Sequence, residues 1–339
     1  MLHNIQGKFW VAAADGSVTC LLCPHHCLVR KGMSGLCRTR TNREGVLYTV
    51  AYGNPCSVAV DPVEKKPVYH FLPGTDILSI ATAGCNFHCL NCQNRTISQV
   101  SPSSAEHYEM SPGQVVGTAL RYGIPSIAFT YTEPTVFYEY MYDIAVLAHA
   151  NGLKTVMVSN GYIDPEPLAA LLPYLDAANI DLKTFDESLY RRVAGGKLQP
   201  VLDTLLALRQ AGVWTEITHL VIPDMTDDAS YFVSMCRWLI NNGFETAPLH
   251  ISRFFPCFKL QDLPPTPVEH LTRARQTAMK IGLHFVYTGN VPGDPDGNTH
   301  CPACGRVVVE RSHYAVTAKN LLNGTCASCG AEIPGVWGL

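Results

Sequence analysis

From about residue 76 onward, strand-like apolar runs alternate with helix-like patterns, and few folds accommodate such a rhythm. The candidate strands are 77–83, 126–132, 154–159, 178–183, 216–222, 247–253 and 284–288. Helical patterns fall between them near 112–122, 134–150, 165–175, 198–210, 230–242 and 267–280. One helix is legible residue by residue: Val136, Phe137, Tyr140, Met141, Ile144, Leu147 and Ala148 recur at helical spacing, with Pro134 at the start and Gly152 just past the end. Strand followed by helix predicts parallel strands joined by crossover helices, in an α/β fold. Such units curl into a full or partial barrel or open into a doubly wound sheet, and both seat ligands at the carboxyl ends of the strands. Functional residues are therefore sought where strands end.

The 339-residue chain is long for a single ordinary domain. We expect a barrel at 76–290, a Cys-rich metal-binding region at 1–75, and a C-terminal module at 298–339 after the Gly- and Pro-rich stretch GNVPGDPDGN at 289–298. With 47% hydrophobic and 16% charged residues, the composition is that of a chain that can bury a core, which argues against disorder. The net charge of −3, with no block of five like charges, points away from nucleic acid and anionic membrane and toward a small-molecule or protein substrate. The first residues lack a basic stretch followed by an apolar run, and no 18 consecutive residues are apolar, so the expected location is the cytoplasm.

Fourteen cysteines in a reducing compartment argue for metal rather than disulfides. They form three groups, at 20–37, 85–92 and 301–329, leaving Cys56, Cys236 and Cys257 as singletons. Cys85, Cys89 and Cys92 stand as C-x3-C-x2-C directly after the first candidate strand. A cuboidal [4Fe-4S] cluster usually takes four cysteines, so a tight triad leaves one iron free to bind a cofactor or substrate. The alternative is a zinc knuckle completed by a distant ligand such as His88.

In the tail, Cys301 and Cys304 pair as one C-x2-C hook and Cys326 and Cys329 as another, the signature of a zinc-ribbon or rubredoxin-like site for zinc or a single iron. Cys20, Cys23, Cys27 and Cys37 suit either zinc or an auxiliary iron–sulfur cluster, and the hook made by Cys20 and Cys23 favours zinc.

The run ILSIATAGCNFHCLNCQNR resembles the signature of the radical S-adenosylmethionine (SAM) superfamily, C-x3-C-x-aromatic-C on the loop after the first strand of a partial (β/α)6 TIM-like barrel. Asn91 departs from it, standing where many members carry an aromatic residue. The resemblance implies a [4Fe-4S] cluster on the triad and SAM as cofactor. It also implies that Thr132 and Glu133 in TYTEPT contact the methionyl amino group, where a carboxylate can accept N–H bonds, although Glu133 could equally cap the helix that follows. Ser159 and Asn160, followed by Gly161, fall where similar enzymes bind ribose; a plain strand-to-helix turn is the alternative. Asp181 and Lys183 match the DLK motif of pyruvate formate-lyase activating enzymes, near SAM and substrate, and a rim ion pair is the alternative. Asn94 and, less closely, Arg95 match the C-x-N-R continuation of the same enzymes, and His250 a barrel-strand histidine.

Over nearly the whole chain, CLLCPHHC with its later GLC, DPVEKKPVYHFLPG at 61–74, GCNFHCLNCQN, and the terminal CPACG and CASCG with IPGVW resemble the radical SAM enzymes of the AmmeMemoRadiSam system. That resemblance implies Memo-type and AMMECR-type proteins as partners and an electron donor such as flavodoxin or ferredoxin. The expected chemistry is reductive cleavage of SAM to a 5'-deoxyadenosyl radical that abstracts hydrogen from a substrate. The rival readings are a glycyl-radical activating enzyme acting on a protein and a non-catalytic zinc-binding adaptor.

Overall fold

The structure is a computed structural model that describes residues 5–291 and 297–338, so part of the 289–298 stretch and the extreme termini lie outside the described residues. One eight-stranded sheet organises the chain, its strands running Ser57–Pro62, Asp76–Ala81, Ser126–Phe129, Lys154–Ser159, Ala177–Asp181, Trp214–Val221, Leu249–Arg253 and Val286–Gly289. The last seven are parallel neighbours in sequence order, and Ser57–Pro62 is an antiparallel edge strand. Sequential order without reversal distinguishes a curling, singly wound sheet from a doubly wound one, in which the order turns back at a switch point. All seven expected strands are present within a few residues. Helix Glu187–Ala194 and the antiparallel strand were not expected, the helix because it spans only two turns and the strand because it lies in the irregular lead-in.

Alternation along the strands sets the two faces. Leu78, Ile80, Ile127, Phe129, Met157, Ala178, Ile180, Ile217, Leu249 and Ile251 join the large core shared with the helices. On the other face, Ile77, Ala128, Val156 and Ala177 pack against Val63, Val68, Phe71 and Leu72. The lead-in segment therefore plugs the concave side of the sheet with its own apolar residues.

Beneath that plug, the C-terminal residues clamp it in place. Leu72 N–H donates to Val336 O and Val336 N–H to His70 O, each at 2.7 Å. Arg311 lies over the Tyr69 ring, 4.2 Å from its centroid, and its guanidinium donates to Tyr69 O at 2.7 Å and to Thr299 Oγ1 at 2.9 Å. No helix among the described residues is long and apolar enough to cross a membrane.

Candidate functional site at the carboxyl ends of the strands

The loop after strand Asp76–Ala81 carries the triad, and its backbone is held by a helix end. His88 N–H donates to Ala194 O and Leu90 N–H to Val193 O, so the loop satisfies carbonyls that a helix leaves open at its C-terminus. Gly195, at φ +81°, makes this approach possible: a Cβ there would meet the His88 ring at 2.1 Å. His88 thus packs on the helix end.

Cys85 is buried, while Cys89 and Cys92 are half-buried. Burial pushes the Cys85 thiol up, further raised by Glu133 and Cys89, and pushes Cys89 up to about 11 although Lys183 opposes it. Thiols so disfavoured as anions rest protonated, and a metal binding there would displace their protons. The three thiols stand on one short loop, Cys85 buried and the other two reaching partway to the surface. Three local thiols without a fourth suit a cluster, in which each thiolate binds a different iron.

Glu133 sits opposite, 1% exposed, at the end of the next parallel strand. Its carboxylate accepts from Thr135 N–H at 2.9 Å, Ser159 Oγ at 2.7 Å and Asn160 N–H at 2.8 Å. The helix-capping role is therefore real, and so is a tie to the following strand. A carboxylate has about four acceptor positions, so one remains. Burial outweighs these donors and raises its pKa. Thr132, half-buried, donates through Oγ1 to Thr82 O at 2.6 Å.

Ser159 and Asn160 are buried turn-builders as well as strand-end residues. Ser159 Oγ accepts from Gly161 N–H at 3.0 Å, and Asn160 Nδ2 donates to Asn86 Oδ1 at 2.8 Å. Lys183 Nζ donates to Asp181 Oδ2 at 2.9 Å, and the pair is half-buried. Although burial pulls the Lys183 ammonium down, Asp181 and Cys89 raise it above an ordinary lysine. Asn94 Nδ2 donates to Tyr131 O at 3.2 Å, joining the triad loop to the segment bearing Glu133, whereas Arg95 is exposed with its guanidinium 5.8 Å from the Phe258 ring.

His250 is not brought to this group. Its Nε2 lies 2.6 Å from Glu216 Oε2, and its ring stands against Tyr69 and Tyr287. Glu216 also accepts from Tyr69 N–H, His70 N–H and Trp214 Nε1–H, at 2.9, 2.8 and 3.0 Å. This cluster belongs to the clamped base of the sheet, where a buried histidine serves a buried carboxylate.

Three features escaped the sequence reading. Asn86, next to Cys85, joins three elements: besides Asn160 it bonds Tyr162 O through Nδ2 at 2.9 Å, and its carbonyl meets His25 Nε2 at 2.8 Å. Cys257, a singleton far along the chain, bonds Asn91 O at 3.0 Å and feels the charge of Cys92. Buried Lys66 donates to Asp61 Oδ2 at 2.6 Å and to Tyr131 Oη at 3.1 Å, and Tyr131 Oη donates to the same Asp61 oxygen at 2.8 Å. Two adjacent lysines in DPVEKKPV between apolar residues were the available signal for the last, since a lysine in a plugging segment must find a carboxylate.

The C-terminal group behaves differently. All four sulfurs lie within 4.8 Å of one another, Cys301 to Cys329 at 3.6 Å and Cys304 to Cys326 at 3.8 Å. Four thiolates about 2.3 Å from one zinc stand roughly 3.8 Å apart, so the site has the dimensions of a single tetrahedral ion.

Residues 79–235 match the family model of the radical SAM superfamily. An uncharacterized protein of Methanocaldococcus jannaschii is 45% identical over 330 residues, spanning 97% of this chain and 98% of its own length. The pyruvate formate-lyase-activating enzyme of Clostridium pasteurianum is 23% identical over 150 residues, 42% of this chain and 61% of that protein. Among solved structures, a radical SAM methyltransferase from Sphaerobacter thermophilus superposes with a TM-score of 0.50 at 14% identity, covering 70% of this chain and 71% of the other, a likeness of fold alone.

Proposed function

We propose that this chain, which belongs to the radical SAM superfamily, is an enzyme that reductively cleaves SAM to methionine and a 5'-deoxyadenosyl radical, which then takes hydrogen from a substrate. The observation that carries this reading is the thiol triad on the loop after the first parallel strand, beside a buried carboxylate with one acceptor position left. A [4Fe-4S] cluster held by Cys85, Cys89 and Cys92 supplies, when bound, the electron and an open iron for SAM.

The protein residues orient and enclose. Glu133 offers its remaining acceptor to the methionyl amino group, and Thr135, Ser159 and Asn160 keep that carboxylate aimed. Ser159 and Asn160 thus act on the cofactor through Glu133 and Asn86. Thr132 and Asn94 hold the surrounding loops in register. Lys183, kept charged by Asp181 beside Cys89, stands at the rim where SAM and substrate meet. Asp61, Lys66 and Tyr131 form a buried polar group within the sheet that ties the lead-in segment to the loop bearing Glu133. The plug and clamp beneath close the opposite end against water, which would quench a radical.

The substrate is a small molecule or a protein, and the electron donor is of the flavodoxin or ferredoxin class. The motifs distributed over the whole chain support association with Memo-type and AMMECR-type proteins. The similarity to an activating enzyme favours, as a second reading, hydrogen abstraction from a partner protein. The deciding experiment is anaerobic incubation with SAM, a one-electron reductant and deuterated cell extract or Memo-type and AMMECR-type proteins. Deuterium entering 5'-deoxyadenosine identifies the hydrogen donor, and a persistent radical in a partner chain establishes the activating role. Colourless protein holding only zinc, with no cleavage of SAM, would replace both with the adaptor reading.

A further inference from the structure

Just ahead of Glu133 the chain adopts a backbone that tyrosine rarely takes. Tyr131 stands at φ +67°, and Thr132 N–H donates back across it to Thr130 O at 3.1 Å. A hydrogen bond that spans one residue at positive φ is the strained form of the γ-turn, and it persists only where the surroundings over-determine it. Before the turn, Thr130 N–H continues the sheet by donating to Ile80 O at 3.0 Å; after it, Glu133 is tied to Ser159 and Asn160. The turn therefore sets where the Glu133 carboxylate leaves the strand.

A charge pair inside the sheet holds Tyr131 in place. Its hydroxyl donates to Asp61 Oδ2 at 2.8 Å and accepts from Lys66 Nζ at 3.1 Å, and the same ammonium lies 4.4 Å from the centre of its ring. At the backbone, Tyr131 O accepts from Asn94 Nδ2 at 3.2 Å. Asp61 is itself saturated, accepting from Lys65, Lys66 and Ser79 as well, at 2.7, 2.6 and 2.9 Å. Although burial raises its pKa, the bonds from Lys65 and Lys66 hold the carboxyl well below the usual carboxylate range, so it stays ionised. Asp61 and Lys66 would neutralise each other without any tyrosine. Both nonetheless bond the hydroxyl of the one residue whose strained backbone leads into Glu133.

We propose that Tyr131, clamped by Asp61 and Lys66, is a positioning residue for SAM, holding the strained turn that aims Glu133 at the methionyl amino group. This rests on the role given to Glu133 above. The lead-in segment thereby contributes to cofactor affinity without touching the cofactor.

The test compares Tyr131→Phe, Tyr131→Ala and Tyr131→Gly in the full chain, reconstituted anaerobically with iron and sulfide. Phenylalanine keeps the ring over Lys66 and leaves the pair of Asp61 and Lys66 intact, while both hydroxyl bonds are lost. Without SAM present, hydrogen exchange at the Asn160 amide, which bonds Glu133, is expected to quicken about tenfold in Tyr131→Phe. The dissociation constant for SAM, from equilibrium dialysis, is expected to rise about tenfold at unchanged iron content. Glycine takes positive φ without strain and alanine does not, so Tyr131→Gly is expected to bind SAM more tightly than Tyr131→Ala.

Tyr131→Phe with wild-type affinity for SAM or an unchanged exchange rate at Asn160 overturns the proposal, even where urea unfolding shows a loss of stability. Equal affinities of the alanine and glycine variants do the same. Should those two fail to fold, Tyr131→Phe decides alone. A wild-type protein with its full iron that does not bind SAM overturns the reading of the whole site, and this proposal with it.

Discussion

Two fully enclosed glutamates, one at each end of the same sheet, sit in opposite electrostatic states. Glu216, at the clamped base, accepts from four donors, and despite its burial the bond from His250 and the nearby His70 lower its pKa. Glu133, at the carboxyl end, accepts from three, and burial raises its pKa. The first carboxylate is saturated and the second is one donor short. A finished network contributes to stability, while an unfinished one beside the three thiols proposed to hold the cluster is ready for a ligand. The contrast explains why His250, bonded to Glu216, belongs to architecture whereas Asp181 and Lys183 stand with the triad.

The comparison is open to direct attack. The largest expected effect comes from C85A/C89A/C92A: loss of about four irons from the central site, read by iron analysis, with far-UV circular dichroism unchanged. Unfolding of this variant would mean that the triad end also holds the fold together.

At the base, Glu216→Ala leaves His250 and two backbone N–H groups buried without their acceptor, and is expected to cost roughly 3–5 kcal/mol in urea unfolding. Cluster content at neutral pH should be retained in whatever fraction stays folded. If Cys301, Cys304, Cys326 and Cys329 hold zinc, removing it with a chelator is expected to lower stability by about 4 kcal/mol when zinc had been 1,000-fold above its Kd. The loosened clamp would be seen as faster hydrogen exchange at Val336 and Leu72, whose amides bond across it.

A smaller effect concerns pH. Burial lowers the His70 pKa to about 4, its two ring nitrogens being taken up by Pro334 O and Tyr287 Oη. Its folded-state pKa lies below the ordinary 6.5, so the unfolded chain takes the proton first. Stability is full above pH 6.5 and falls as pH drops toward 4, by about 2 kcal/mol between pH 7 and 5. His70→Gln should remove that slope in urea titrations at the two pH values, and an unchanged slope would assign it to another group. At the small end, Arg95→Ala at the exposed rim is expected to change stability by less than about 1 kcal/mol.

Much of this was legible in the sequence. The period of the apolar pattern located the seven parallel strands, because burial on both faces makes such strands near-continuous apolar runs. The triad and the C-terminal hooks were visible because their ligands are local in sequence, and hook spacing alone identified a group that the structure draws together within 4.8 Å. The plug was not legible: Val63, Val68, Phe71 and Leu72 sit in an irregular segment without helical or strand periodicity, and only the sheet's concave face reveals their role. His250 was misplaced for a related reason, since a strand histidine carries no mark of which end of the barrel its side chain serves. Cys257 and Asn86 gave no local signal, their partners lying 166 and 76 residues away.

The central claim is that the carboxyl end of this sheet cleaves SAM. Its most direct measurement is the quantity of 5'-deoxyadenosine and methionine formed anaerobically from SAM and dithionite by the reconstituted wild-type protein and by C85A/C89A/C92A. The account predicts both products from the wild type in equal amounts, and none above background from the variant. Equal rates of formation by the two proteins, or no product from a wild-type protein carrying its full complement of iron, would contradict it.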